Sequence, residues 1–215
     1  EDFASYPRTM EADAAGLVAA GCDLLFAPAA EMLYPFGLDA SVRVHVPLVS
    51  EGLCGAFRPG HFDGVATVVA KLFHWVQPDI AFFGRKDFQQ LRVIERMVRD
   101  LGLPIAIVGV ETLREPNGLA MSSRNQYLAT EERERAAEIY RTLQAMRDAI
   151  GQGRARAAVE AAAVDRLDAV GFRVDYAAVR RAEDLSEPAE GDRGNLVALI
   201  AARLGKARLI DNIMI

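Results

Sequence analysis

The sequence predicts an α/β protein in which a parallel sheet is followed by a smaller α+β part. Two short apolar runs, Ile80–Phe83 and Ile105–Val110, flank a helical pattern that begins near Asp87. A strand, a glycine turn, a helix and a second strand within about thirty residues form a βαβ unit with parallel strands and a right-handed crossover. The rest of the chain contains helices followed by strands, which predicts a small α+β domain. We place the boundary near residue 112, between domains 1–112 and 113–215.

Several segments before the βαβ unit have recognisable patterns. Residues 10–20 have helical spacing, and the apolar run 23–28, which a proline ends, predicts a buried strand. Alternating Val, Arg, Val, His and Val over 42–46 predicts a strand with one wet face. Apolar residues at helical spacing over 63–76 predict an amphipathic helix that ends before Pro78. A helix followed by a strand is what an α/β unit requires.

The C-terminal part contains two predicted helices and three predicted strands. Thr130 is the predicted N-cap of a helix that runs to Gly151, because two glutamates follow it in the first turn. A second helix, rich in Ala and Arg, is predicted over 155–170. The three strand-like runs are 173–180, 196–203 and 208–215.

Composition excludes several classes of protein. The 215 residues include 25 Lys and Arg against 30 Asp and Glu, with no dense basic block, which argues against nucleic acid or an anionic membrane as a partner. No apolar run approaches the roughly 18 to 20 residues that span a bilayer. Two Cys outside any C-x-x-C pattern and three scattered His predict neither a disulfide framework nor a metal site. We therefore expect a cytoplasmic protein with reduced thiols.

The turn after the first strand of the βαβ unit carries the first candidate site. Gly84 at the strand end lets backbone N–H groups approach a phosphate, and the following helix N-terminus and Lys86 add positive charge. This is chemistry suited to a polyphosphate. The alternative is a solvated turn in which Lys86 and Asp87 only cap the helix. Gln90, one turn further on, is placed either to hydrogen-bond a small polar substrate or simply to face water.

A loop just beyond the βαβ unit carries the second candidate site. Ser122, Ser123 and Arg124 combine two adaptable hydroxyl donors with a guanidinium that binds phosphate oxygens in a bidentate manner. The alternative is a polar linker that caps a turn. The position of the loop next to the βαβ unit favours a clamp for phosphate.

A third candidate precedes the helix that opens at residue 63. Arg58 and His61 could meet a phosphate or a carboxylate at this helix N-terminus, or His61 could serve as a structural hydrogen-bond donor. His45 and His74 carry no signal of ligation.

Taken together, these segments form a pattern more specific than any one of them. The chain resembles the pantoate–β-alanine ligase (pantothenate synthetase) family over its whole length. The segments that carry the resemblance are Phe83–Leu91, Val108–Leu128, Tyr6–Thr9, Met32–Gly37, Arg58–Lys71, Arg203–Gly205 and Arg208–Asn212.

The resemblance implies a fold and an activity. The family belongs to the nucleotidyltransferase superfamily, with a Rossmann-like N-terminal domain and a smaller C-terminal α+β lid. It implies ATP-dependent condensation of pantoate with β-alanine through a pantoyl-adenylate, with release of AMP and pyrophosphate. ATP and Mg²⁺, the two small-molecule substrates and a homodimer are the implied cofactors and partners.

The resemblance also assigns residues by position. Pantoate contact falls to Gln90, phosphate contacts of lower weight fall to Arg58 and His61, and no protein ligand for a metal is implied. Leu113 stands where the family more often has Val, a change that a backbone contact would survive. The implied ATP contacts are Gly84, Arg85, Lys86, Asp87, Leu113, Met121, Ser122, Ser123 and Arg124, with catalytic roles for Lys86, Ser122, Ser123 and Arg124.

The front of the sequence departs from the family. Family members begin with a strand and a glycine-rich loop that carries two His in a HIGH-type motif, followed by a Gln that binds pantoate and β-alanine, and neither feature is found in these residues. We therefore expect the sequence to begin some way into the family's pattern.

Two rival hypotheses stay open. The first is a catalytically incomplete fragment that acts as a dimerisation or nucleotide-binding remnant. The second is a nucleotidyltransferase that joins AMP or CMP to a phosphorylated acceptor, against which the Gln-rich helix start argues.

Overall fold

The computed structural model describes residues 9–192 and 194–215, and the chain divides into two compact units, 1–43 and 44–215. In the first unit the described residues form helices α1 (Met10–Ala19) and α2 (Ala30–Leu33). The helix predicted over 10–20 is therefore confirmed, whereas α2 had no clear signal in the sequence. Of the matching segment Tyr6–Thr9, only Thr9 lies within the described residues.

Two strands predicted before the βαβ unit are wrong. Residues 23–28 are irregular, and Leu24 is 81% exposed. Residues 42–46 are irregular as well, although burial does alternate from Val44 to the buried Val46. The Val44 N–H donates to the Thr67 hydroxyl (2.9 Å) and not to a neighbouring strand. An apolar or alternating run becomes a strand only when another strand supplies its hydrogen bonds, and none does so among the described residues.

The predicted βαβ unit is confirmed. Strands β1 and β2 are parallel, with pairing from Ile80 opposite Ala106 to Gly84 opposite Val110. A turn of 3₁₀ helix replaces the predicted simple turn after β1, and a short unpredicted helix, α3, precedes the long α4. The elements are α3 (Leu53–Phe57), α4 (His61–Val76), β1 (Ile80–Gly84), the 3₁₀ helix Arg85–Asp87, α5 (Phe88–Asp100) and β2 (Ala106–Val110).

The first hydrophobic core lies between α4, α5 and one face of this small sheet. Phe73 of α4 meets Phe83 of β1 edge to face, with ring centroids 6.2 Å apart. The residues of this core include Val46, Val49, Phe62, Ala66, Ala70, Phe73, Val93, Ile94, Met97 and Val98. The core fixes the helix that follows the 85–87 turn, and so fixes the carboxyl end of the sheet where ligands bind in α/β proteins.

The C-terminal part has the predicted α+β composition. Its three strands form an antiparallel sheet in the order β3-β4-β5. The elements are the 3₁₀ helix Ser123–Tyr127, α6 (Thr130–Ala136), α7 (Glu138–Gly151), α8 (Arg156–Ala169), β3 (Arg173–Arg181), β4 (Leu196–Leu204) and β5 (Ala207–Met214).

The helix predicted from Thr130 to Gly151 differs from the structure in two respects. It is divided at Ala137 into α6 and α7, and Thr130 is its first helical residue, not its cap. The Ala129 N–H at the cap position donates to the Glu132 carboxylate (2.9 Å). The N3 glutamate therefore accepts the N–H of the N-cap residue, and no threonine hydroxyl caps this helix.

The two faces of the antiparallel sheet pack on different partners. Leu209 and Ile200 contribute to a second core with α7 and α8, around Leu143 and Leu167. Ile210, the next residue of β5, instead packs against the first core. Because side chains alternate along a strand, β5 can join the α+β part to the βαβ unit.

No helix in the described ranges is long and apolar enough to cross a membrane. Between β2 and residue 123 the chain is irregular apart from a single bridge between Arg114 and Ala120. The predicted boundary near residue 112 falls in this stretch, and we retain domains 1–112 and 113–215 as a proposal.

Candidate active site

The turn between β1 and α5 presents Lys86 at the carboxyl end of the parallel sheet. Lys86 lines two adjoining cavities. Asp87 precedes α5, but its side chain makes no capping hydrogen bond, so the reading of this turn as a helix cap does not describe Asp87. Gly84 has ordinary extended backbone, and a Cβ there would have no neighbour within 4 Å. No contact within the described protein therefore explains a glycine at this position. The open space beside Gly84 would let a ligand approach the backbone closely, which a glycine favours.

Arg85 points away from both cavities. Its guanidinium pairs with the Glu111 carboxylate just beyond β2, at 2.5 Å, in an exposed position. The side chain crosses over Gly109, where a Cβ would lie 2.9 Å from Arg85 Nε. Because the Arg85 side chain is engaged with Glu111, the ATP contact that the resemblance implies for Arg85 would fall to its backbone, next to Lys86.

One cavity gathers five of the predicted site residues. Its wall is built from the 85–87 turn, α5, the start of α4 and the third and fifth strands, so that segments far apart in sequence meet there. The predicted residues that line it are Arg58, His61, Lys86, Asp87 and Gln90. Gln90 therefore lines the cavity, as a substrate-binding residue would, although the sequence was also compatible with a side chain that faces water.

His61 is held as a neutral base against Arg58. A guanidinium nitrogen of Arg58 lies 2.8 Å from His61 Nε2, an arrangement in which Arg58 donates. Burial and the positive charges of Arg58, Arg124 and Arg208 lower the pKa of His61 from 6.5 to about 4, while Asp87 opposes the shift. The structural role considered for His61 is thus present, and Arg58 is the stronger candidate for contact with an anion.

The loop that carries the two serines is ordered and is not an open linker. The Met121 N–H donates to the Leu113 carbonyl (2.9 Å), which closes the loop on itself. Gly118 at its tip has φ +96°, and a Cβ there would lie 2.9 Å from the Tyr140 ring. Asn125 is buried and donates to the Ala120 carbonyl (3.1 Å). The conformation of the loop is therefore determined by packing before any ligand binds.

Ser122 combines the two roles considered for it. Its hydroxyl oxygen accepts the Arg124 N–H (3.2 Å) and so caps the 3₁₀ helix, while the residue also lines a cavity together with Lys86. An accepting hydroxyl keeps its own proton for a ligand. Arg124 lies close enough to lower the pKa of His61, so the loop and the α4 start share one electrostatic environment.

Three residues that sequence reasoning did not assign a role hold this site together. Asp211 of β5 binds Arg114 in a bidentate pair, at 2.6 and 3.0 Å. Burial raises the pKa of Asp211, and Arg114 opposes that shift. Asn212 donates to the carbonyl oxygens of Arg85 (2.8 Å) and Lys86 (2.9 Å). The sequence signals for these residues were the matching segments Val108–Leu128, which contains Arg114, and Arg208–Asn212, and neither assigned them a chemical role.

Cys54 is also at the site. Its thiol lies 3.1 Å from the Tyr176 hydroxyl and 3.6 Å from the Arg208 guanidinium, on the wall of the cavity that contains His61 and Gln90. The pKa of Tyr176 is raised, first because the ring is buried and second because of Cys54.

Cationic, amide and hydroxyl groups therefore converge at the carboxyl end of parallel strands. This defines a class of protein: an α/β protein whose ligand is anionic and binds at the strand ends. The model of the pantoate-beta-alanine ligase family matches residues 1–214, and the chain belongs to this family.

Individual relatives agree with the family match. The chain is 58% identical over 214 residues to the pantothenate synthetase of Xylella fastidiosa and 58% identical over 213 residues to that of Stenotrophomonas maltophilia, covering 99% of this chain and 76% of each relative. The crystal structure of pantothenate synthetase from Thermus thermophilus is similar with a TM-score of 0.90 and 51% identity, over 99% of this chain and 77% of that chain. These matches confirm the resemblance and the predicted fold class.

A more distant structure comes from an enzyme with bound ligands. It is pantoate-beta-alanine ligase from Francisella tularensis complexed with beta-gamma ATP and beta-alanine, with a TM-score of 0.80 and 29% identity, over 99% of this chain and 72% of that chain.

Proposed function

We propose that this protein ligates pantoate and β-alanine to form pantothenate, using ATP and releasing AMP and pyrophosphate. The observation that carries the proposal is the convergence of Lys86, Gln90 and Arg58 on one cavity in a chain of the pantoate–β-alanine ligase family. The similar ligase from Francisella tularensis, complexed with an ATP species and β-alanine, supports ATP and β-alanine as ligands here.

The proposed chemistry has two steps. A pantoate carboxylate oxygen attacks the α-phosphorus of ATP, the bond to the bridging oxygen breaks, and pyrophosphate leaves. The β-alanine ammonium gives up a proton to solvent, and the resulting amine attacks the acyl carbon of the pantoyl-adenylate. AMP leaves with the electrons of the broken C–O bond, and the nitrogen releases its second proton to solvent as the amide forms. No covalent bond to the protein is needed, so the side chains act by positioning and by electrostatic stabilisation.

The candidate residues divide between these tasks. Charge builds on the β- and γ-phosphates as pyrophosphate leaves, and Lys86, Ser122, Ser123 and Arg124 are proposed to stabilise it. Gln90 is proposed to hydrogen-bond pantoate. Closure of the C-terminal lid through the 112–125 loop would keep water from the adenylate. The proposed ATP contacts that complete the site are Gly84, Arg85, Asp87, Leu113 and Met121, with Arg58 and His61 as further phosphate contacts.

Mg²⁺ is proposed to arrive with ATP. Within the described ranges no three His, Cys, Asp or Glu side chains are grouped so that they could hold a metal ion. Mg²⁺ is commonly bound by substrate phosphates, water and one or two carboxylates, and Asp87 is a carboxylate on the cavity wall that fits this limited role. When bound, the ion would neutralise phosphate charge. A homodimer remains what the resemblance to the family implies, and a cytoplasmic location remains a prediction from the sequence.

The experiment is pyrophosphate release by the purified chain with ATP, Mg²⁺ and pantoate, with and without β-alanine. We expect pantoate-dependent release, and pantothenate formation only when β-alanine is added. Absence of release together with retained ATP binding would contradict the proposal and favour a nucleotide-binding remnant. Release that required a phosphorylated acceptor in place of pantoate would favour the other nucleotidyltransferase chemistry.

A variant of Lys86 tests the assignment within the site. Lys86→Ala should lower the rate of pyrophosphate release by a factor on the order of 100 or more, because a charge that stabilises the leaving group is lost. The melting temperature should change little, because Lys86 lines the cavities rather than a core. Lys206→Ala, in the exposed turn between β4 and β5, is the matched control. An unchanged rate in Lys86→Ala would refute the role of Lys86.

A further inference from the structure

Asn212 joins the C-terminal strand to the backbone of the 85–87 turn. Its side-chain amide nitrogen donates to two consecutive carbonyl oxygens, those of Arg85 (2.8 Å) and Lys86 (2.9 Å). The residue is only 8% exposed. Both N–H bonds of one rigid amide group are thus used on adjacent peptide planes, which fixes the orientation of the backbone from which the Lys86 side chain departs.

Asp211, the preceding residue of β5, holds the 112–125 loop, which we call the serine loop, through an ion pair with Arg114. Its carboxylate binds both terminal nitrogens of Arg114 and also accepts the Asn212 N–H (2.8 Å). Arg114 in turn donates to the Gly118 carbonyl (3.1 Å) and lies over the Tyr140 ring at 3.7 Å. The loop that ends in Ser122–Arg124 is therefore attached to β5 through Arg114.

Two neighbouring residues of one strand thus hold the two segments that carry the proposed ATP contacts. Buried polar groups on a strand cost free energy unless they are fully hydrogen-bonded, and apolar side chains would serve the sheet itself equally well. Among the described residues, the side-chain hydrogen bonds of Asp211 and Asn212 lead to the two segments and to each other, and none is made to α6, α7 or α8.

We infer that Asp211 and Asn212 are positioning residues for adenylation, and that Asn212 acts through Lys86. They fix the distance between Lys86 and the serine loop through side-chain hydrogen bonds to these two segments, although both residues also line the cavity that contains Lys86. This inference rests on the proposed function, because it assigns the ATP phosphates to the space between the two segments.

The test is a double-mutant cycle between Asn212 and Lys86. Asn212→Asp preserves the size of the side chain and removes both donors, and Asn212→Ala serves as a second variant if the first fails to fold. We expect Asn212→Asp to lower the single-turnover rate of pyrophosphate release about 10- to 100-fold, since small misplacements of a catalytic group have effects of this size. In the Lys86→Ala background the same substitution should lower the rate less than twofold.

A matched destabilised variant distinguishes positioning from loss of stability. Leu143→Ala removes a buried side chain of α7 in the second core, outside both cavities. It should lower the melting temperature at least as much as Asn212→Asp while leaving pyrophosphate release unchanged at a temperature where both are folded. Equal activity losses in Leu143→Ala and Asn212→Asp, or losses from Lys86→Ala and Asn212→Asp that multiply, would overturn the inference.

Failure of the proposed function has a separate signature. If the unsubstituted chain releases no pyrophosphate, the cycle is measured on ATP affinity by calorimetry, and the inference stands only if Asn212→Asp weakens ATP binding in the parent and not in Lys86→Ala. If the unsubstituted chain does not bind ATP, both the proposed function and the inference are wrong.

Discussion

Burial and the positive charges of three arginines together keep the His61 imidazole neutral by lowering its pKa. Arg58 donates to it directly, and Arg124 and Arg208 act from further away. With its pKa lowered to about 4, the imidazole is neutral throughout the physiological range and accepts a hydrogen bond from Arg58. A neutral acceptor orients Arg58 without adding a further positive charge to the site.

This arrangement predicts how stability depends on pH. The folded-state pKa of His61 lies below its ordinary value of 6.5, so the unfolded chain binds the proton more readily. The contribution of His61 to stability is therefore present above about pH 6.5 and is lost as the pH falls towards 4. We expect His61→Gln to flatten this part of the curve of unfolding free energy against pH, measured by urea denaturation. His74→Gln, also on α4, is the control; the same slope in His61→Gln and the unsubstituted protein would contradict the prediction.

Gly84 and Gly118 show two different reasons for a glycine. Gly84→Ala should leave the melting temperature unchanged, because a Cβ there meets nothing, but should weaken ATP binding. Gly118→Ala should destabilise the protein by about 1–3 kcal/mol, because its φ is positive and the Cβ would meet the Tyr140 ring. Thermal melts with calorimetric ATP titration measure both effects. Normal ATP affinity in Gly84→Ala would remove the argument that the ligand approaches this backbone.

At the scale of elements, β5 connects the βαβ unit, the serine loop and the core of the α+β part, which are separate segments of the sequence. Its alternating side chains enter both cores, and its polar residues reach the 85–87 turn and the serine loop. The Arg114–Asp211 pair is the most buried of these connections, with side chains 19% and 3% exposed. The exposed Arg96–Asp100 pair of α5 has a single hydrogen bond of 2.6 Å and lies at the surface.

The two ion pairs should therefore respond very differently to substitution. Arg114→Met leaves the Asp211 carboxylate buried without its partner and should lower the free energy of unfolding by about 3–5 kcal/mol. Arg96→Met should lower it by less than about 1 kcal/mol, because exposed pairs contribute little. Urea denaturation at pH 7 measures both values. Comparable small losses would mean that water or another group replaces Arg114.

Much of the βαβ unit was predictable from sequence, since its apolar runs, glycine turn and helix are contiguous. The strands at 23–28 and 42–46 were wrongly predicted because apolar patterning is local, whereas strand formation depends on a distant partner. The candidate site residues Lys86, Gln90 and Arg58 were found by their chemistry and by the resemblance. Asp211 and Asn212 were not, because nothing near them in sequence indicates what they contact.

At the scale of the whole molecule, ATP binding and folding should be coupled. The proposed site is assembled from the βαβ unit, the serine loop and β5, so it exists only in the folded chain. ATP should therefore raise the melting temperature, by an amount equivalent to about 2.7 kcal/mol at a concentration 100 times its dissociation constant.

Differential scanning fluorimetry over a series of ATP and Mg²⁺ concentrations measures this shift. Lys206→Ala should show the same shift as the unsubstituted protein, and Lys86→Ala a much smaller one. A shift of equal size in Lys86→Ala would place ATP elsewhere on the molecule.

The sequence by itself determined the α/β class, the parallel βαβ unit, the antiparallel strands at the end and the chemical character of the two phosphate-binding candidates. These follow from the spacing of apolar residues and from short motifs, which express the local preferences of the backbone. Only the tertiary structure decided that His61 is neutral, that Arg85 pairs with Glu111, and that Asn212 holds a turn 126 residues away. Burial, electrostatic environment and long-range hydrogen bonds arise only when distant segments pack together, and no local pattern encodes which segments will meet.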